Sequence, residues 1–259
     1  NKDTPFFCYL SLNAPHSPFN VPEKYYQIYS NKDNLLESQK RFYGMISNID
    51  DNFGKLLNNL ESLELTENTI VVFTTDNGTS NGYRYVQKDK KWYGYNAEMR
   101  GTKTSEYDGG HRVPMIMQWK NKGLSNGKLF KGLSAHVDML PTLAKFAGIP
   151  FKPKKMIDGI DLTNYIQNGK DPMRMLVTDT QRNLWPKKDK KSCVMYSTWR
   201  LINGTELYDV AKDPGQKINV INEFPEIAKQ MMNFYSNWWD DASIEFRYSY
   251  IDILPCLLY

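Results

Sequence analysis

Residues 69–78 read TIVVFTTDNG. The first seven are β-branched or aromatic, a composition that favours a strand apolar enough to be covered on both faces. Asp76-Asn77-Gly78 then ends the strand in turn-forming residues. Upstream, Phe42, Met45, Ile46, Ile49, Phe53, Leu56, Leu57 and Leu60 recur at helical spacing and predict a helix over Ser38–Leu63 with one apolar face. Further upstream, Phe6–Leu12 (FFCYLSL) reads as another strand, closed by the proline-restricted stretch Asn13–Pro18. Strand, long helix and strand make a βαβ unit, so the two strands are expected to lie parallel in one sheet. Ligands of such sheets sit beyond the carboxyl ends of the strands.

Working downstream, Asp76–Arg112 is too long for a simple connection, and loops of that length are usually functional or mobile. Pro114–Trp119 reads as a strand, and His136–Ala147 as a helix stopped by Gly148. A second module is expected from Met173. Met175–Thr178, Ser192–Ser197, Trp199–Ile202 and Glu206–Val210 read as short strands, with Asn203-Gly204 as a hairpin signal. Glu223–Trp239 reads as a helix, with Ile227, Met231, Phe234, Tyr235 and Trp238 on one side. The expected division is therefore 1–172, an α/β part, and 173–259, a small antiparallel sheet with one covering helix.

Hydrophobic residues make up 41% of the 259-residue chain and charged residues 24%, enough apolar matter for a core and too balanced for disorder. The formal net charge is +4, from 33 basic and 29 acidic side chains. That mild, dispersed excess does not suggest a nucleic-acid partner, and it suits an anionic substrate. No apolar run is long enough to span a bilayer, so no membrane partner is expected. Cys8, Cys193 and Cys256 have neither metal-ligand spacing nor the even number of a disulfide framework. The chain begins at Asn1 and enters a strand-like run almost at once, which reads as a fragment or an excised domain.

Three polar clusters follow strand ends or fill the long loop. Asp76 and Asn77 offer hard oxygen ligands suited to calcium or magnesium; the same tripeptide with Gly78 is also a common turn. His16, between Pro15 and Pro18, can exchange a proton near neutral pH, or simply make an ordinary loop hydrogen bond. Gly101-Thr102-Lys103 and Asp108-Gly109-Gly110-His111-Arg112-Val113-Pro114 form the third cluster. Its paired glycines allow close backbone approach, and Lys103 and Arg112 can face an oxyanion or solvent.

In their order and spacing, Pro15-His16-Ser17-Pro18, Thr75–Gly78, Gly101–Lys103, Asp108–Pro114 and Val137–Leu143 resemble the sulfatases, of the alkaline-phosphatase-like superfamily. The resemblance runs over nearly the whole chain. It implies a mixed, largely parallel α/β sheet flanked by helices, present here in part, plus the small C-terminal antiparallel sheet and helix. By the same resemblance Asp76 and Asn77 are calcium ligands, His16 contacts the sulfate ester and assists leaving-group departure, and Lys103 binds a sulfate oxygen. Arg100 and His111 are further substrate-binding candidates, Asp108 and Arg112 hold their loop together, and His136 and Asp138 are structural.

The family's nucleophile is a formylglycine hydrate, made in a Cys/Ser-x-Pro-x-Arg motif that does not occur among these residues. The implied activity is thus that of a sulfatase fragment, acting as full-length protein on a sulfated small molecule or glycan with calcium and an upstream formylglycine. A phosphonate or phosphate diester hydrolase of the same superfamily, and a non-catalytic binding protein derived from it, are the alternatives. The resemblance also implies a periplasmic, secreted or lysosomal-type compartment. A loop containing Arg84, Lys88, Lys90, Lys91, Trp92, Tyr93 and Tyr95 reads either as a grip for a sulfated sugar or as a solvated basic loop. The apolar ending Leu254–Tyr259 departs from the family and suggests truncation or a frame artefact.

Overall fold

The computed structural model describes residues 4–124 and 127–253, with side chains as far as residue 244. The anomalous ending Leu254–Tyr259 lies outside the described residues, as does Cys256. The chain divides into two compact units, Asn1–Lys128 and Leu129–Tyr259. Residue 173, the expected start of a second module, falls inside the second unit. Within that unit Arg174 Nη2 donates to the fully buried carboxylate of Asp138, which ties the segment after 173 to the one before it.

The first unit contains helix α1 (Glu23–Tyr26), helix α2 (Glu37–Ser62), strands β1 (Val71–Thr74), β2 (Tyr83–Val86) and β3 (Lys91–Gly94), helix α3 (Asp108–His111) and strand β4 (Met115–Gln118). α2 matches the expected helix within a residue at each end. Its apolar face is covered mainly in the first half, where Phe42 and Met45 are buried, while Ile46 and Leu56 stay exposed. Phe53, further along, meets Phe73 of β1 with ring centroids 5.4 Å apart.

β1 pairs antiparallel with β4, Val71 opposite Gln118 and Phe73 opposite Ile116. Phe6–Leu12 forms no strand, and Phe6, Phe7, Tyr9, Leu10 and Leu12 are all exposed. The parallel pairing expected from the βαβ reading is therefore not formed in this chain, and every ladder among the described residues is antiparallel. A strand apolar on both faces needs neighbours and covering layers to become one, and Phe6–Leu12 finds neither here.

The second unit holds helices α4 (Met139–Phe146) and α5 (Thr163–Asn168), strands β5 (Met175–Asp179), β6 (Ser192–Tyr196), β7 (Trp199–Ile202) and β8 (Glu206–Asp209), and helix α6 (Pro225–Ile253). α4 stops at Gly148 as expected. Gly148 takes φ +68°, and the Ile149 amide returns to the Ala144 carbonyl at 2.9 Å. The four strands form one meander in the order β5-β6-β7-β8. Asn203 and Gly204 both adopt positive φ at the β7–β8 turn.

α6 covers the meander with Ala228, Met231 and Tyr235, which are buried together with Val194, Leu201 and Leu207. Phe234, expected on that side, is exposed at the edge. The mixed α/β class and the small C-terminal antiparallel sheet with its helix are thus as expected. Among the described residues no helix is long and apolar enough to cross a membrane.

Candidate active site

β1 delivers the chain into Asp76-Asn77-Gly78, and three backbone hydrogen bonds knit that turn, the Gly101–Lys103 loop and the Asp108–Pro114 loop together. The Gly78 amide donates to the Gly110 carbonyl at 2.9 Å, the Lys103 amide to the Thr79 carbonyl at 2.8 Å, and the Gly109 amide to the Arg100 carbonyl at 2.8 Å. The glycines are required by this closeness. A Cβ on Gly78 would lie 1.9 Å from the Gly109 carbonyl oxygen, and one on Gly109 2.1 Å from that of Gly101. Asn96 adds a side-chain brace, its Nδ2 donating to the Gly101 carbonyl at 2.7 Å.

Within this assembly Asp76 is exposed, while Asn77, Gly101 and Lys103 are half-buried. The side-chain oxygen of Asn77 is buried and accepts no hydrogen bond among the described residues. A buried acceptor without a donor costs roughly 1–3 kcal/mol, and a cation at that oxygen would remove the cost. Asp76 and Asn77 are the hard-oxygen donor type that calcium takes. By themselves they do not complete its coordination, which usually needs six to eight oxygens. No group of three or more His, Cys, Asp or Glu side chains capable of holding a metal occurs among the described residues.

Asp108 is fully buried, and Arg112 Nη1 lies 3.5 Å from its carboxylate. The Arg112 amide also donates to the Asp108 carbonyl at 2.7 Å, so this pair closes α3 on itself. Arg100 lays its guanidinium over the Tyr107 ring, 3.7 Å from the centroid. His111 Nε2 is 3.2 Å from the Glu106 carbonyl oxygen. Both of these substrate-binding candidates are thus engaged by their own loop.

His16 is exposed, and its contacts are also local. Its amide donates to the Asn13 carbonyl at 2.9 Å, and Nδ1 lies 2.9 Å from the Ser17 carbonyl oxygen. The structure therefore joins the loops of Asp76, Asn77, Lys103, Arg100 and His111. Among the described residues no hydrogen bond links His16 to them. Asp138, in the second unit, is a structural hub, accepting from the amides of Ala135 at 2.7 Å and Ile160 at 3.0 Å as well as from Arg174.

The sequence reading missed how the long loop is held. Gln39 is fully buried, and its Nε2 donates to the carbonyls of Asn81 at 3.1 Å and Tyr93 at 2.9 Å. The Tyr43 hydroxyl donates to the Gly82 carbonyl at 2.7 Å, and burial pushes its pKa upward. The available signal was position: Gln39 precedes Phe42 by one helical turn, a polar residue on the apolar stripe of α2.

The Sulfatase family model matches residues 1–149. Over 248 residues the chain is 28% identical to the N-acetylgalactosamine-6-O-sulfatase of Bacteroides thetaiotaomicron, covering 89% of this chain and 46% of that protein. Over 163 residues it is 32% identical to the steryl-sulfatase of Homo sapiens, covering 62% of this chain and 26% of that protein. Among solved structures, Ps i-CgsB in complex with k-i-k-neocarrahexaose superposes with a TM-score of 0.77 at 25% identity, covering 92% of this chain and 51% of that one. The chain thus spans about half, or less, of the length of these relatives. With more than half of its residues matched by the family model, the chain belongs to the sulfatase family.

Proposed function

We propose that the full protein containing this chain hydrolyses sulfate esters of carbohydrates. The observation that carries the reading is the buried, partnerless Asn77 oxygen in a turn bonded directly to the Lys103 loop. An acceptor for a cation and a side-chain ammonium then belong to one backbone-braced assembly, which suits the anionic oxygens of a sulfate ester. The similarity to a sulfatase of N-acetylgalactosamine 6-sulfate, and to a structure holding a carrageenan-type hexasaccharide, supports a sugar as the alcohol.

In this reading Asp76 and Asn77 would hold calcium together with ligands from outside these residues, and the ion would supply charge neutralisation of the sulfate oxygens. Lys103 donates to a sulfate oxygen and stabilises the charge that grows as the ester bond breaks. His16 gives its proton to the leaving alcohol oxygen. The Cys/Ser-x-Pro-x-Arg motif is absent from the 259 residues, so the nucleophile comes from elsewhere in the protein.

The test is turnover of 4-nitrophenyl sulfate, N-acetylgalactosamine 6-sulfate and bis(4-nitrophenyl) phosphate by the full-length protein, with calcium or with a chelator. Calcium-dependent hydrolysis of the sulfates is expected, and none by the 259-residue chain alone. Faster cleavage of the phosphodiester, or of no ester at all, would overturn the proposal.

A further inference from the structure

Residues 83–94 read YRYVQKDKKWYG, four cations against the single acid Asp89. They form the β2–β3 hairpin, and its two faces differ. Tyr85 lies directly opposite Trp92, so both share one face. Tyr83 stacks on the same indole with centroids 4.4 Å apart and planes at 13°, and Tyr85 leans on it at 5.4 Å. Trp92 nevertheless remains 48% exposed and Tyr85 43%. On the opposite face Arg84 pairs with Tyr93, and Lys91 Nζ sits 5.3 Å over the Tyr93 ring. The Tyr93 hydroxyl donates to Asp89 at 2.8 Å, which raises the phenol's pKa and occupies the one local carboxylate.

The root of the hairpin is fixed to the site. At one end the Gly82 amide donates to Thr79 Oγ1 at 2.8 Å, and Thr79 is the residue whose carbonyl receives the Lys103 amide. At the other end Asn96 braces Gly101. Gln39 and Tyr43 of α2 pin the strands between, through the carbonyls of Tyr93 and Gly82. An isolated two-stranded hairpin is marginal in water, so these anchors hold a mostly exposed structure in one place.

From this we infer that the β2–β3 hairpin is a binding flap for the substrate's neighbouring sugars, a specificity element outside the catalytic set. The inference rests on the sulfated-carbohydrate reading above. An exposed ring ladder offers a surface on which the C–H face of a pyranose loses water. Lys88 and Lys90, exposed in the turn at the tip of the hairpin, complement sulfates carried by sugars other than the one being cleaved. The occupant is therefore an oligosaccharide bearing more than one sulfate.

The decisive experiment uses full-length protein loaded with calcium. Equilibrium binding of k-i-k-neocarrahexaose, of the same backbone without sulfate and of a single-stranded DNA hexamer is measured beside turnover of 4-nitrophenyl sulfate, which carries no neighbouring sugar. Trp92→Ala should weaken hexasaccharide binding about tenfold, with Trp92→Phe largely restoring it. The exposed double variant Lys88→Ala/Lys90→Ala should weaken it about three- to tenfold, more at low salt than at high. Both variants should turn over 4-nitrophenyl sulfate within about twofold of the parent. Unchanged hexasaccharide binding in both variants overturns the inference. So do equal affinity for the unsulfated sugar, tighter binding of DNA, or loss of small-substrate turnover together with binding. If the parent hydrolyses no sulfate ester, the activity reading fails, while the binding titration still decides the flap.

Discussion

The amide of Gly78 donates to the carbonyl of Gly110 at 2.9 Å, so the turn after β1 and helix α3 meet main chain to main chain. Nothing larger than hydrogen fits between them. In Gly78→Ala the new methyl would lie 1.9 Å from the Gly109 carbonyl oxygen. Backbone on that side has no flexible end to swing away, so the two loops must separate. A loss of about 2 kcal/mol or more is expected, read as a lower urea midpoint with an unchanged m-value. Gly54→Ala, on α2 where a Cβ meets nothing within 4 Å, should be neutral or mildly stabilising.

Lys103→Ala in the full-length protein should lower kcat by about 10²- to 10³-fold, the scale of one lost oxyanion donor. His16→Ala should behave differently. With 4-nitrophenyl sulfate, whose leaving group needs little protonation, the loss should be small. With a sugar sulfate it should reach about 10²- to 10⁴-fold. Equal losses on both substrates would remove His16 from the role of proton donor.

Asp138 is fully buried and accepts from Arg174 and from two backbone amides. Taking away one partner of such a pair leaves the other uncompensated. Asp138→Ala and Arg174→Ala should each cost about 3–5 kcal/mol, and the double variant clearly less than their sum. Thermal or chemical unfolding of the four members of the cycle checks this.

Burial pushes the Tyr235 phenol above its usual range, although the Asp189 amide donates to its oxygen at 3.2 Å. In the unfolded chain the phenol ionises near pH 10. Tyr235 therefore contributes undiminished stability below about pH 10 and loses it as the pH climbs toward the raised folded value. Above about pH 10 the denaturant midpoint of Tyr235→Phe should fall less steeply with pH than that of the parent.

How much was legible in the sequence depended on where each element's partners lie. The meander was read almost strand by strand, because β5 to β8 each pair with a neighbour close in sequence and Asn203-Gly204 announces its turn. α2 was legible from its stripe. Phe6–Leu12 has strand composition, yet composition cannot supply the neighbours that turn a run into a strand. The antiparallel partnership of β1 and β4 was hidden for a related reason: it is set by the long excursion between them. Within that excursion the alternation in β2 and β3 is short and interrupted by charge, so nothing in its sequence marks a hairpin.

The site divided in the same way. The motif residues of three loops were legible and do come together, by main-chain bonds that no residue type announces. Only the glycines at 78, 109 and 110 hint at them, because a side chain there would strike a carbonyl. The supporting pair Gln39 and Tyr43 was passed over, as a polar residue on an apolar stripe looks like noise until its partners are known.

The meander carries one more consequence. Each of its strands is hydrogen-bonded to the next along the chain, and the β6–β7 and β7–β8 connections are tight turns. Contacts so local cost little loop-closure entropy and form early. With Val194, Leu201 and Leu207 closing on α6, residues 175–239 have the makings of a self-sufficient folding nucleus. Their amides, above all those of β6 and β7, should be the slowest in the second unit to exchange with deuterium.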